Sequence, residues 1–118
     1  MLDLSDEKGQ LCAKLLGDLG ADVILVEPPG GHRVRQLGPF YHDQPHPERS
    51  LYFFSLNTSK RSITLDIAQP DGLELLRRLV AQADFLVESF PPGYMEALRL
   101  GYPELSRINP GLVVASVT

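Results

Sequence analysis

The sequence predicts an α/β fold, a Rossmann-like, mostly parallel sheet with helices on both faces. Three observations carry that expectation. Short β-branched apolar runs alternate with stretches whose apolar residues recur at helical spacing. One run, Asp22–Glu27 (DVILVE), is almost continuously apolar, as a strand covered on both faces must be. Glycine and proline punctuate the junctions where helices should stop or start.

Taken in order, residues 1–4 read as a first strand. A helix over Lys8–Leu19 follows, with Leu11, Cys12, Leu15, Leu16 and Leu19 on one face and Gly20 as its left-handed stop. On this reading Cys12 is a small core hydrophobe. Residues 22–27 form the second strand and complete a βαβ opening. From Pro28 to about Ser50 neither period holds, and the prolines, glycines and three histidines predict a long loop of functional interest. Leu51–Leu56 is apolar and open between strand and helix, with a short helix preferred. Ser62–Ile67 (SITLDI) reads as the third strand, and Pro70 opens a helix carrying Leu73, Leu76 and Val80, widened by Leu75 and Leu79. Residues 84–88 form a fourth strand, Pro91–Leu100 a further helical stretch, Tyr102–Ile108 another turn or two, and residues 112–117 a fifth strand.

The chain of 118 residues is read as one domain over 1–118, able to bury about two-thirds of its unfolded surface. Its 43% hydrophobic and 22% charged residues indicate a globular chain. Net charge is −4, and no basic stripe is interleaved with aromatics, which argues against nucleic-acid binding. A single cysteine excludes an internal disulfide and fits a reducing, cytoplasmic setting. The longest apolar runs fall far short of a membrane span, and no signal peptide is visible. His32, His42 and His46 lie in an irregular loop without a paired acidic set, so no metal is expected.

In parallel sheets of this kind ligands sit beyond the carboxyl ends of the strands. That rule selects Ser5–Lys8, Pro28–Arg35, Ala68–Gln69 and Ser89–Gly93. Neither G-x-G-x-x-G nor a P-loop follows the first strand, which weakens a nicotinamide, flavin or nucleoside-triphosphate reading. Gly30–Arg35 (GGHRVR) joins pliable backbone to two guanidinium forks suited to phosphate or carboxylate, or is a solvated loop. Glu88–Gly93 (ESFPPG) sets a hydroxyl, an aromatic and two prolines at a strand end, and Phe90 there is either a ligand contact or a core plug.

Together, LGDLGADVILVEPPGG, NTSKRSITLD, PDGLELLRRLVAQADFLVESFPPG and LGYPELSRINPGLVVASVT resemble consecutive blocks of the class III CoA-transferases, the CaiB/BaiF family, in order and in register. The resemblance covers essentially the whole chain and the amino-terminal part of such a protein. It implies a Rossmann-like domain binding coenzyme A, in homodimers of interlocked chains. The implied activity is CoA transfer between an acyl-CoA and a carboxylic acid, through an aspartate that becomes acylated. That aspartate is expected beyond Thr118, so the chain alone is expected to be inactive.

Position by position, the resemblance points to Lys8, Arg35, Leu65, Ser89 and Phe90 as coenzyme A contacts, Lys8 and Arg35 for charge and Leu65 and Phe90 for apolar surface. Three positions depart from the family pattern. Ser89 stands where many members have Asn, Ala97 where a basic residue is frequent, and His32 where an aspartate is frequent. Arg99 cannot supply the charge missing at 97, because two residues along a helix turn about 200°. An acyl-CoA racemase of the same fold and a non-catalytic module binding a CoA ester or a partner chain are the alternatives.

Overall fold

A computed structural model describes all residues, Met1–Thr118. Five strands alternate with helices: β1 (Leu2–Leu4), α1 (Gln10–Asp18), β2 (Val23–Glu27), α2 (Leu51–Asn57), β3 (Lys60–Thr64), α3 (Pro70–Val80), β4 (Phe85–Glu88), α4 (Tyr94–Ala97), α5 (Tyr102–Ile108) and β5 (Val113–Ser116). All neighbours pair in parallel, in the order β3-β2-β1-β4-β5. The order reverses at β1, so the switch point lies between β1 and β4, where such sheets open a crevice.

The faces of the sheet are unequal. On one, Leu2, Leu4, Val26 and Leu86 pack with Leu76 and Val80 of α3, Met95, and Leu105 of α5 in the larger core. On the other, Ala13 of α1 meets Val23 and Val87, while Phe53 of α2 covers Leu25 and Val34. Between these two small clusters the second face is polar. Lys60 Nζ donates to Asp3 Oδ2 (2.7 Å), Gln10 O (2.9 Å) and Asn57 Oδ1 (2.8 Å). Asp3 also accepts from Ser5 N (3.0 Å) and Ser5 Oγ (2.5 Å), and Asn57 Nδ2 donates to Gln10 Oε1 (3.0 Å). Asp3 and Lys60 are both sealed from solvent. Burial pushes the Lys60 ammonium below its ordinary value against the pull of Asp3. This network accounts for the N-T-S-K string: Asn57 ends α2 and Lys60 begins β3, and both turn inward.

The first helix corrects the expected burial. Leu11, Leu15 and Leu19 are 49%, 53% and 86% exposed, and Cys12 is exposed rather than a core hydrophobe. Gln10, Ala13 and Gly17 face the sheet instead. Their spacing is equally helical, but they are small or hydrogen-bonded, which lets the helix come close. A Cβ on Gly17 would stand 3.1 Å from the Ser59 carbonyl oxygen. Gly20, at φ 109°, ends the helix as expected, and Ala21 N closes the turn on Leu16 O (3.0 Å).

Other boundaries shift for local reasons. β3 runs over 60–64 rather than 62–67, because its register pairs Val23 with Lys60 and Glu27 with Thr64. As an edge strand with four exposed residues it carries little apolar signal. Asp66 then turns the chain by accepting from Ala68 N (3.1 Å). Leu75, expected on the buried stripe of α3, is exposed, while Leu76 and Val80 are sealed. The helix expected over 91–100 shrinks to Tyr94–Ala97, since Gly93 sits at φ 89° and cannot join it. The long loop holds two short 3₁₀ turns, Arg33–Gln36 and Tyr41–Asp43. Leu51–Asn57 is the helix preferred there, capped by Ser50 Oγ, which accepts from Phe53 N (3.1 Å).

Candidate functional site

Beyond the carboxyl ends of β1, β2, β3 and β4 lies a cleft of about 310 Å³. Its floor is the switch point itself. Asp6 N donates to Ser89 Oγ (2.7 Å), and the Ser89 hydroxyl donates to Asp6 Oδ1 (2.8 Å), so one side chain ties the loop after β1 to the loop after β4. Burial alone would raise the Asp6 carboxyl. Bonds from Lys8 N and Ser89 and the nearby Lys8 ammonium outweigh it and hold the group below the usual range.

One wall is apolar: Leu4 and Val26 from strand ends, Leu65 and Ile67 from the turn after β3, and Phe90. Phe90 and Tyr94 rings lie 4.8 Å apart at a tilt of 36°. Phe90 is held in place because Phe90 N donates to Glu88 Oε2 (2.8 Å). It is half-buried, packed on the core and also lining the cleft.

The opposite wall comes from the loop after β2. Gly30 and Gly31, at φ 88° and 93°, fold it back over the strand end in a conformation that a side chain would strain. Glu27, almost wholly buried, organises that turn. It accepts from His32 N (2.9 Å), from Arg35 Nε (2.6 Å) and Nη2 (2.8 Å), and from Ser62 Oγ. Burial alone would raise the Glu27 carboxyl, but these donors hold it below its ordinary value. The Arg35 guanidinium also lies 3.9 Å over the Phe53 ring.

The structure therefore separates the five residues selected from the sequence. Leu65, Ser89 and Phe90 line the cleft together. Lys8 stands at its margin, about half exposed, 3.4 Å from Asp6. Arg35 turns away from the cleft, its fork filled by Glu27 and its remaining nitrogen near Pro47 O (3.3 Å) and Glu48 (3.5 Å). His32 and Arg33 reach the cleft in its place. The phase of a 3₁₀ turn decides which of these neighbours faces inward, and no periodicity within GGHRVR discloses it. Tyr94 also lines the cleft. It lies four residues after Phe90, but Pro-Pro-Gly between them hides any helical relation.

His32 is partly buried. Its Nδ1 accepts from Val34 N (3.2 Å), so in the neutral ring the proton sits on Nε2. Burial pushes the imidazole below its ordinary value, against the pull of Glu27, Glu7 and Asp6, and Arg33 adds to the depression. Arg33 pairs with Glu7 across the mouth. No group of three or more His, Cys, Asp or Glu side chains comes together in a way that could hold a metal ion. No helix is long and apolar enough to cross a membrane.

Comparison with known proteins gives a consistent result. The model of CoA-transferase family III matches residues 5–118. Succinyl-CoA:(R)-benzylsuccinate CoA-transferase subunit BbsE of Thauera aromatica is 44% identical over 118 residues, all of this chain and 29% of that protein. Formyl-CoA:oxalate CoA-transferase of Afipia carboxidovorans is 42% identical over 111 residues, 94% of this chain and 26% of that protein. A crystal structure of a CAIB/BAIF family protein from Brucella suis superposes with a TM-score of 0.90 at 42% identity, covering 99% of this chain and 31% of that one. The chain thus spans less than a third of the length of these relatives.

Proposed function

The chain belongs to CoA-transferase family III, and on that premise we propose that it is the coenzyme A-binding amino-terminal part of an enzyme that moves CoA between an acyl-CoA and a carboxylic acid. The observation that carries this reading is the convergence of Leu65, Ser89 and Phe90 on one cleft at the switch point of the sheet. A pantetheine arm is a slender chain of methylenes and amides, and adenine is a flat ring. The wall built from Leu4, Val26, Leu65, Phe90 and Tyr94 offers both an apolar seat. Lys8 lends charge at the margin. Arg35 contributes by fixing Glu27, and through it the turn that closes the cleft.

Four carboxylates at or near the strand ends are structural on the same reading. Asp3 is paired with Lys60, Glu27 with Arg35, Glu88 accepts from Phe90 N and Asp66 from Ala68 N. None is a free nucleophile poised over the apolar wall. A homodimer in a cytoplasmic setting belongs to the same proposal. The exposed Leu11, Leu15 and Leu19 face of α1 supports further polypeptide covering it, and the free, exposed Cys12 suits a reducing compartment.

The test is a titration of CoA into the ¹⁵N-labelled chain. Shifts are expected to centre on Leu65, Ser89 and Phe90 and to extend to Ser5–Lys8. Saturating CoA that leaves all of them unmoved refutes the assignment.

A further inference from the structure

We propose that His32 and Arg33 form the phosphoryl-receiving pair of the cleft, with the His32 Nε2–H and the free N–H groups of Arg33 binding a phosphoryl group of a CoA ester. The inference rests on the coenzyme A reading above and adds to it the residues that recognise the ligand's charge.

The argument is one of elimination among donors. The cleft is lined by three carboxylates, Asp6, Glu27 and Asp66, and by only two side chains able to present a cationic or imidazole N–H, His32 and Arg33. The carboxylates near the mouth are paired: Glu27 with Arg35, Asp6 with Lys8 and Ser89, and Glu7 through Oε1 with Arg33, its Oε2 being buried without a partner. Asp66 accepts from Ala68 N. The Ser89 hydroxyl is used at the floor, and the Arg35 fork is filled. His32 differs from all of these. Its Nδ1 is fixed by Val34 N, while its Nε2 makes no bond within the chain, so the ring is held as an oriented donor with a vacant N–H. Only Nη2 of Arg33 engages Glu7, and its side chain is 63% exposed. A guanidinium with two unengaged nitrogens next to a fixed imidazole donor suits a tetrahedral oxyanion.

The test uses the 118-residue chain and three probes: CoA, dephospho-CoA and pantetheine, which carries no phosphate. The His32 ¹⁵Nε2 resonance is expected to shift with CoA and to stay still with pantetheine. If dephospho-CoA also shifts it, the proposal stands and the diphosphate is the bound group. If only CoA does, the proposal stands for the 3′-phosphate. His32→Asn keeps an acceptor for Val34 N while removing Nε2–H. It is expected to weaken CoA about tenfold, the worth of a hydrogen bond to a charged acceptor, and to leave pantetheine unchanged. Arg33→Gln, at an exposed position, is expected to act in the same direction. CoA shifting Leu65 and Phe90 but not His32 overturns this proposal and leaves the cleft reading standing. An equal His32 shift with pantetheine also overturns it, as does unchanged CoA affinity in both variants. No shift anywhere removes both readings together.

Discussion

Replacing Lys60 with methionine tests the polar half of the core directly. Met matches the length of the Lys stem but leaves Asp3, fully buried, without its cation. Asp3 keeps its two bonds from Ser5, so the loss is that of a desolvated charge deprived of its counter-charge, which costs about 3–5 kcal/mol. A domain of this length has only about 6–18 kcal/mol of stability in total, so Lys60→Met should remove a large fraction of it. Neutralising the stranded group with Asp3→Asn in the same chain should return most of the loss. What remains is the two bonds from Lys60 to Gln10 O and Asn57 Oδ1, about 1 kcal/mol each. Urea unfolding followed by circular dichroism gives the four free energies of the cycle, with a coupling of at least about 2 kcal/mol expected. A Lys60→Met chain within about 1 kcal/mol of the parent, or a double variant losing the sum of the single losses, would refute the account of Asp3 and Lys60 as a sealed, interdependent pair.

Four further outcomes are expected. A Cβ at Gly72 would overlap the Asp66 carbonyl, so Gly72→Ala should cost about 1–3 kcal/mol in urea unfolding and displace the Leu65–Ala68 turn, weakening CoA in the same titration. Glu27 is held below its ordinary value of 4.5, so its stabilisation is complete above that pH and is lost as pH falls through the depressed folded value. Glu27→Gln should flatten that acid limb of a stability–pH curve. His32 is also depressed, so the unfolded chain takes up its proton first and stability declines below about pH 6.5. His32→Asn should remove that earlier limb and leave the Glu27 limb in place. Cys12, exposed on α1, should react with a thiol reagent in the dilute chain as fast as in urea and become protected where the proposed partner chain covers that helix; equal reactivity in both settings would count against the covering.

The strands that were plain in the sequence are those whose two faces are both buried. β2 and β4 are apolar at nearly every position, so any register exposes the same signal. β3 begins two residues before its apolar signal does, because an edge strand needs no apolar alternation and its anchoring residue, Lys60, is a cation. The buried face of α1 departs from its leucine stripe for a related reason. Leucines at helical spacing outweigh Gln10, Ala13 and Gly17 on any hydrophobic scale, yet close approach to the sheet and a bond to Asn57 decided the packing. At the cleft, family resemblance selected Leu65, Ser89 and Phe90, which strand ends place by themselves. Arg35 and His32 depend on how Glu27 distributes its lone pairs among donors up to 35 residues away in sequence, and no local pattern contains that information.

The bond between Asp6 and Ser89 joins residues 83 positions apart. β1 pairs directly with β4, so the contact closes all of the sequence that lies between these two strands. Closing so long a loop carries an entropic cost that local helices and the β1–β2 pairing do not share. The cleft floor is therefore expected to be a late event on the folding pathway. Truncating the Ser89 hydroxyl should accelerate unfolding and leave the folding rate almost untouched. A newly made chain would then complete this crevice only when β4 docks, in the same event that brings Leu86 and Val87 into the cores on the two faces of the sheet.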